Sequence, residues 1–156
     1  MGNCFFSENI DSIQEPNKIN DVILPLSKQK TLKKIIIVDD VISMAQRMKK
    51  YYEMLDYEVT VLCAGSGEEC LQLCELHKDI DLIFMDLIMY PMDGYTTAEK
   101  ILKDPRNNIY VIAMSGLIDA ESISRCREMG MLNVFEKPVN YDDVVQRLHK
   151  MGLNLK

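Results

Sequence analysis

Residues 81–94 read DLIFMDLIMYPMDG. An apolar run from Leu82 to Met85 stops on a carboxylate, Asp86, and a turn-prone segment with Pro91, Asp93 and Gly94 follows. A short unbroken apolar run suits a strand covered on both faces. In an open α/β sheet such a strand presents its reactive group at its C-terminal end, beside the loop that leaves it. Asp86 is therefore the first candidate for chemistry.

The same grammar recurs on either side. Ile35, Ile36, Ile37 and Val38 form a β-branched run ending in Asp39-Asp40. Val59 to Cys63 reads as another strand, followed by Gly65-Ser66-Gly67. Ile109 to Met114 ends on Ser115-Gly116, and Leu132 to Phe135 ends on Glu136-Lys137-Pro138. Helices fill the gaps. Ser43 with Gln46 predicts a capping box for a helix carrying Met44, Ala45, Met48, Tyr51, Tyr52 and Leu55. That helix should end near Asp56, where glycine would be the ordinary left-handed terminator. Ser66 with Glu69 predicts a second box, for a helix through His77. Further helices are expected from about Tyr95 to Lys103, stopped by Asp104-Pro105, and from Ala120 to Met129, closed by Gly130. Asn140 caps a last one through about Lys150. Strands alternating with helices predict an α/β fold, a doubly wound five-stranded parallel sheet with helices on both faces. Right-handed crossovers favour the strand order 2-1-3-4-5.

The totals exclude several classes. The chain has 156 residues, enough for one domain with a real core, and its 47% hydrophobic and 27% charged content is that of a soluble globular protein. A formal charge of −6 and the lack of a basic stripe argue against nucleic-acid partners. Five cysteines without a CxxC pair suit a reducing compartment, and a cytoplasmic location is expected. Residues 1–31 differ in texture and are read as a largely irregular N-terminal extension, with VILPL at 22–26 able to dock on a domain spanning 32–152. The opening MGNC would permit acylation of Gly2 and Cys4, the two signals stable anchoring needs. Phe6 stands where that motif wants Ser or Thr, so membrane association is expected only if those residues are acylated. Cys70, Cys74 and His77 share a helical face, which is read as core packing rather than a metal site.

In a parallel sheet all C-terminal strand ends share one edge, so Asp39, Asp40, Asp86, Ser115 and Lys137 can converge. Three carboxylates there need a cation, and Mg2+ suits oxygen ligands while keeping room for a phosphoryl oxygen. A carboxylate nucleophile, a metal, an ammonium and a hydroxyl are the parts of phosphoryl transfer.

These residues resemble the receiver domain of two-component response regulators, a flavodoxin-like fold, over about residues 33–150. The motifs are VDD at 38–40, LIFMD at 82–86, MDG at 92–94, AMSG at 113–116 and EKP at 136–138. The resemblance implies that Asp86 is the phosphoacceptor. It implies that Asp40, Asp86 and the backbone carbonyl of Ile88 ligate Mg2+, with Asp39 helping through water. Ser115 would bind the phosphoryl oxygen, Lys137 would pair with it, and Lys137-Pro138 would be cis. The donor would be a histidine kinase, a histidine phosphotransfer protein or a small acyl phosphate. Such a domain signals rather than acting as an enzyme on other substrates. Only a few residues follow the last helix, so a stand-alone receiver is expected. It would act on a downstream protein through a face built of the fourth helix, fifth strand and fifth helix. The family usually has an aromatic residue three places before the lysine; here that place is Val134, and Phe135 should face the other way. This departure supports an alternative, an interaction module that works without phosphorylation. Apolar Ile88 and Leu117, each two places beyond a site residue, predict slow loss of the phosphoryl group.

Overall fold

The computed structural model describes residues 29–156. Gly2 and Cys4, whose acylation the opening MGNC would permit, and the 22–26 segment lie outside them. The elements run β1 (Lys30–Leu32), β2 (Lys34–Val38), α1 (Ile42–Met54), β3 (Thr60–Ala64), α2 (Gly67–Leu76) and β4 (Leu82–Asp86). There follow α3 (Gly94–Lys103), β5 (Tyr110–Ser115), α4 (Ala120–Glu128), β6 (Asn133–Glu136), α5 (Tyr141–Lys150) and β7 (Leu153–Leu155). The main sheet is five-stranded and parallel, in the order β3-β2-β4-β5-β6. Counted along its own strands this is 2-1-3-4-5, the expected topology.

Strand periodicity sorts the apolar residues into two layers. Ile35, Ile37, Phe84, Ile112, Met114 and Phe135 face one side, where Ala45, Met48 and Tyr52 of α1 and Val144 and Leu148 of α5 meet them. Ile36, Val38, Ile83, Met85, Val111, Ala113 and Val134 face the other. There α2, α3 and α4 supply Cys70, Cys74, Ala98, Ile101 and Cys126. Cys70 and Cys74 are thus core residues, as their spacing suggested. Val134 and Phe135 do point to opposite faces.

Helix ends follow local chemistry in most cases. Ser66, Asp93, Asp119 and Asn140 each accept a backbone N–H from the first turn of their helix. Asp56 adopts φ 54°, the left-handed conformation anticipated for that position, and Gly130 ends the α4 region with φ 89°. The expected Ser43 cap is wrong. The helix begins at Ile42 with Val41 as an uncapped N-terminus, placing Ser43 inside the first turn. The Asp39 carboxylate accepts the Val41 N–H at 2.9 Å, and the Val41 carbonyl accepts from Met44 at 2.7 Å, so the chain turns helical before it reaches Ser43.

A second feature lay outside the sequence reading. β1 and β7 form a separate two-stranded parallel sheet, with Lys30 opposite Leu153 and Leu32 opposite Leu155. Leu32 and Leu153 are buried in the α1/α5 layer, so the pair extends that core. The Asp81 carboxylate accepts the N–H groups of Lys33 and Lys34 at 2.7 and 3.2 Å, tying the β1–β2 junction to the start of β4. Among the described residues no helix is long and apolar enough to cross a membrane.

Tyr52 lies at the centre of the α1/α5 layer, stacked near Phe84 with ring centroids 6.5 Å apart. Burial pushes its phenol pKa well up, and its hydroxyl has no hydrogen-bond partner among the described residues. An unpaired buried hydroxyl is destabilising by about 1–3 kcal/mol, while the ring contributes packing that phenylalanine would keep. Tyr52→Phe should therefore stabilise the fold by about 1 kcal/mol. A urea midpoint that fell instead of rising would refute this.

Candidate functional site

Alternation along the strands also decides which polar groups meet. Asp39, Asp86 and Lys137 each continue the register of a residue facing the α1/α5 layer: Ile37, Phe84 and Phe135. Their side chains emerge on one side of the sheet's C-terminal edge. Lys137 Nζ lies 2.7 Å from Asp39 Oδ2 and 2.7 Å from Asp86 Oδ2, bridging two buried carboxylates. Asp40, exposed at the rim, completes a trio whose carboxylate oxygens lie within 4.8 Å of one another. This is the only such cluster of potential metal ligands among the described residues.

Ser115 continues the opposite register, after Ala113. It is buried at the same edge, but its hydroxyl serves its own loop, donating to the Leu117 carbonyl at 2.8 Å and accepting the Leu117 N–H at 3.2 Å. Its backbone carbonyl accepts the Lys137 N–H at 2.8 Å, which keeps the β5 and β6 ends in step. Ile88 donates its N–H to Asp86 Oδ1 at 3.2 Å and turns its side chain outward, 62% exposed. Leu117 is 77% exposed on the neighbouring loop. Lys137-Pro138 is cis, as the resemblance implied; Tyr90-Pro91 is also cis, which nothing in the sequence announced.

The electrostatics are those of charges gathered at a partly dry edge. Burial raises the Asp86 pKa, and Asp39 adds to it; the Lys137 ammonium and the Ile88 N–H oppose the rise without cancelling it. For Lys137, burial works against the charge, but hydrogen bonds and ion pairs to Asp39 and Asp86 outweigh it and leave the pKa raised. The lysine is thus held as an ammonium. Three carboxylates against one ammonium leave an excess of negative charge, which a hard divalent cation is suited to balance. The donor set is all oxygen, so the residues present fit Mg2+.

Gly94 contributes in a way the motif alone did not reveal. A Cβ there would sit 2.0 Å from the Asp86 carbonyl oxygen, and the Gly94 N–H donates to the Leu87 carbonyl at 3.1 Å. The first turn of α3 is thus laid directly on the backbone of Asp86, with Asp93 as its cap through Thr96 N–H at 2.6 Å.

The response regulator receiver domain profile matches residues 35–149. The chain belongs to that family. Receiver domains are signalling domains that act with histidine kinases or histidine phosphotransfer proteins. The chain is 26% identical over 115 residues to the chemotaxis protein CheY of Treponema pallidum, covering 74% of this chain and 79% of that one. It is 29% identical over 119 residues to the probable transcriptional regulator ycf27 of Cyanophora paradoxa, 76% of this chain but 48% of the relative. This receiver thus spans about half the length of that regulator. Among solved structures it resembles the receiver domain of a DNA-binding response regulator, merR, from Colwellia psychrerythraea, with TM-score 0.70, 27% identity, and coverage of 76% of this chain and 97% of that one. It also resembles a chain of the CheX–CheY–BeF3–Mg complex of Borrelia burgdorferi, with TM-score 0.66, 25% identity, and coverage of 74% and 86%.

Gly94→Ala should lower the unfolding free energy by about 1–3 kcal/mol, because backbone must shift to admit the methyl group. Gly116→Ala is its control, since a Cβ there meets nothing within 4 Å. Thermal melts of the two variants separate a steric effect at Asp86 from a general loss of loop glycine. Equal melting temperatures would sink the close-approach argument.

Proposed function

We propose that Asp86 accepts a phosphoryl group from a phosphohistidine on a histidine kinase or histidine phosphotransfer protein, in a Mg2+-dependent reaction. The observation that supports this best is the Lys137 ammonium held 2.7 Å from both Asp39 and Asp86 at one sheet edge, with the Asp40 carboxylate beside them. An Asp86 carboxylate oxygen attacks phosphorus as the phosphorus–nitrogen bond breaks and the imidazole leaves, giving an acyl phosphate. Asp39, Asp40, Asp86 and the Ile88 carbonyl would hold Mg2+, which neutralises phosphoryl oxygens when bound. Lys137 offers its ammonium to a phosphoryl oxygen, and Ser115 exchanges its Leu117 contact for another.

The rim of the site supports a protein donor. Val41, Ile42, Ile88, Tyr90 and Leu117 are all exposed large apolar residues on loops or helix starts around that edge. Apolar side chains grouped about a charged pocket suit docking by a protein surface better than recognition of a free anion. Output is proposed to follow from the added charge of roughly −1.5 to −2, which biases a pre-existing equilibrium and changes the face formed by α4, β6 and α5. The cytoplasm is the proposed location.

Intact mass after incubation with acetyl phosphate and Mg2+ tests the chemistry. One phosphoryl adduct is expected on the parent, and none on Asp86→Asn or on the parent without Mg2+. Absence of an adduct from folded parent that binds Mg2+ would favour the phosphorylation-independent module, for which Val134 in place of an aromatic speaks.

The phosphoryl group should also persist. Ile88 and Leu117 offer no polar side chain to orient an attacking water. One such hydrogen bond is worth about 1 kcal/mol, or roughly a five- to tenfold change in rate. Ile88→Asn should shorten the phosphoprotein half-life by about that factor, and a parent already as short-lived as the variant would contradict the reading.

A further inference from the structure

On the proposed phosphoacceptor reading, α3 has a task beyond packing. We propose that Tyr95, through its contact with Arg125, is the positioning residue that couples the Asp86 edge to α4.

The argument starts from how weakly α4 is held. Of its residues only Cys126 is buried; Ser122 and Ile123 are half-buried, and the rest of AESISRCRE is exposed. Beside it an open groove of about 420 Å3, bordered by Glu99, Lys103 and Glu128, separates it from α3. Tyr95 spans this gap. The Arg125 guanidinium lies over the Tyr95 ring, 3.8 Å from its centroid, and the ring packs against the buried cluster that holds Cys126. Arg125 of α4 thus rests on a side chain of α3, beside the buried Cys126.

The other end of the connection is rigid. Tyr95 follows Gly94, whose backbone is pressed against the Asp86 carbonyl too closely to admit a Cβ. A shift of the Asp86 backbone therefore moves the first turn of α3, and with it the ring. Among the described residues Tyr95 is also the only aromatic side chain packed on the α2/α3/α4 layer, the layer that holds Val134 and Cys126. The other ring contacts, among Tyr51, Tyr52, Phe84, Phe135 and Tyr141, belong to the opposite layer. Among the described residues the α4 side of the sheet thus has one packed ring, and it is fixed to the acidic pocket's own loop.

The exposed cation–π contact is modest, equivalent to roughly a two- to fivefold shift in an equilibrium. That suffices to move a balanced two-state helix without threatening the fold. Tyr95→Leu and Arg125→Gln are the test variants, because both lie outside the acidic cluster and Arg125 is exposed. Phosphoryl occupancy is read by intact mass with acetyl phosphate and Mg2+, and α4 by amide hydrogen exchange of residues 120–128 with and without the adduct. In the parent the adduct should change α4 exchange. Both variants should reach parental occupancy with that change reduced roughly two- to fivefold, and the double variant should lose no more than either single one, as expected of a shared contact. An unaltered α4 response in the variants, an additive double variant, or a parent whose α4 ignores a full adduct would overturn the coupling. No adduct on the parent would instead reject the phosphoacceptor reading, and the coupling with it.

Discussion

The site depends on one ammonium. Asp39 and Asp86 are buried at the ends of neighbouring strands, and burying two like charges side by side is unfavourable unless a counter-charge joins them. Lys137 supplies it from β6, two strands away from β4, at 2.7 Å from each carboxylate. The lysine can reach because the strands are parallel and their C-terminal ends coincide. It faces the right way because Lys137, Asp39 and Asp86 share one parity of the pleat. Shifting any of the three strands by one residue would turn its site group to the other face.

The same parity leaves Ser115 facing the other way, where it closes its own loop on Leu117. The two sides of the sheet edge therefore differ in kind. The α1/α5 side gathers charge and aromatic rings, with Arg147 placed over Phe135 at 3.9 Å. The α2/α3/α4 side is aliphatic and thiol-rich, and its outermost helix is tied down by little else than Cys126 and the Tyr95 contacts. A local change at the edge meets stiff packing on one side and a loosely held helix on the other. Motion belongs where packing is thinnest.

Much of this was legible in the sequence, for identifiable reasons. Four apolar runs ending on Asp39-Asp40, Asp86, Ser115 and Lys137 are strong signals, since buried parallel strands tolerate little else. Parallel topology then brings those ends together without further information. What escaped was non-local or ambiguous. KTL at 30–32 and LNL at 153–155 are too short for periodicity to register, and their pairing joins segments far apart in the chain. Ser43 looked like a cap because the pattern is local, whereas the helix start is set by the Asp39 carboxylate holding Val41. Gly94 is one glycine among seven, and only a three-dimensional approach to Asp86 distinguishes it. An arginine over a tyrosine thirty residues away leaves no mark in the sequence at all.

The β1–β7 pair has a mechanical consequence. Because the two strands run parallel, the chain enters β1 at one end of the ladder and leaves β7 at the other. Tension applied between Lys30 and Leu155 would pull the strands lengthwise past each other. Their hydrogen bonds would then carry the load together, in shear, where an antiparallel pair pulled from adjacent ends would unzip one bond at a time. Under such a load the small sheet would yield only after all its bonds were strained at once, sparing the α5 end of the core.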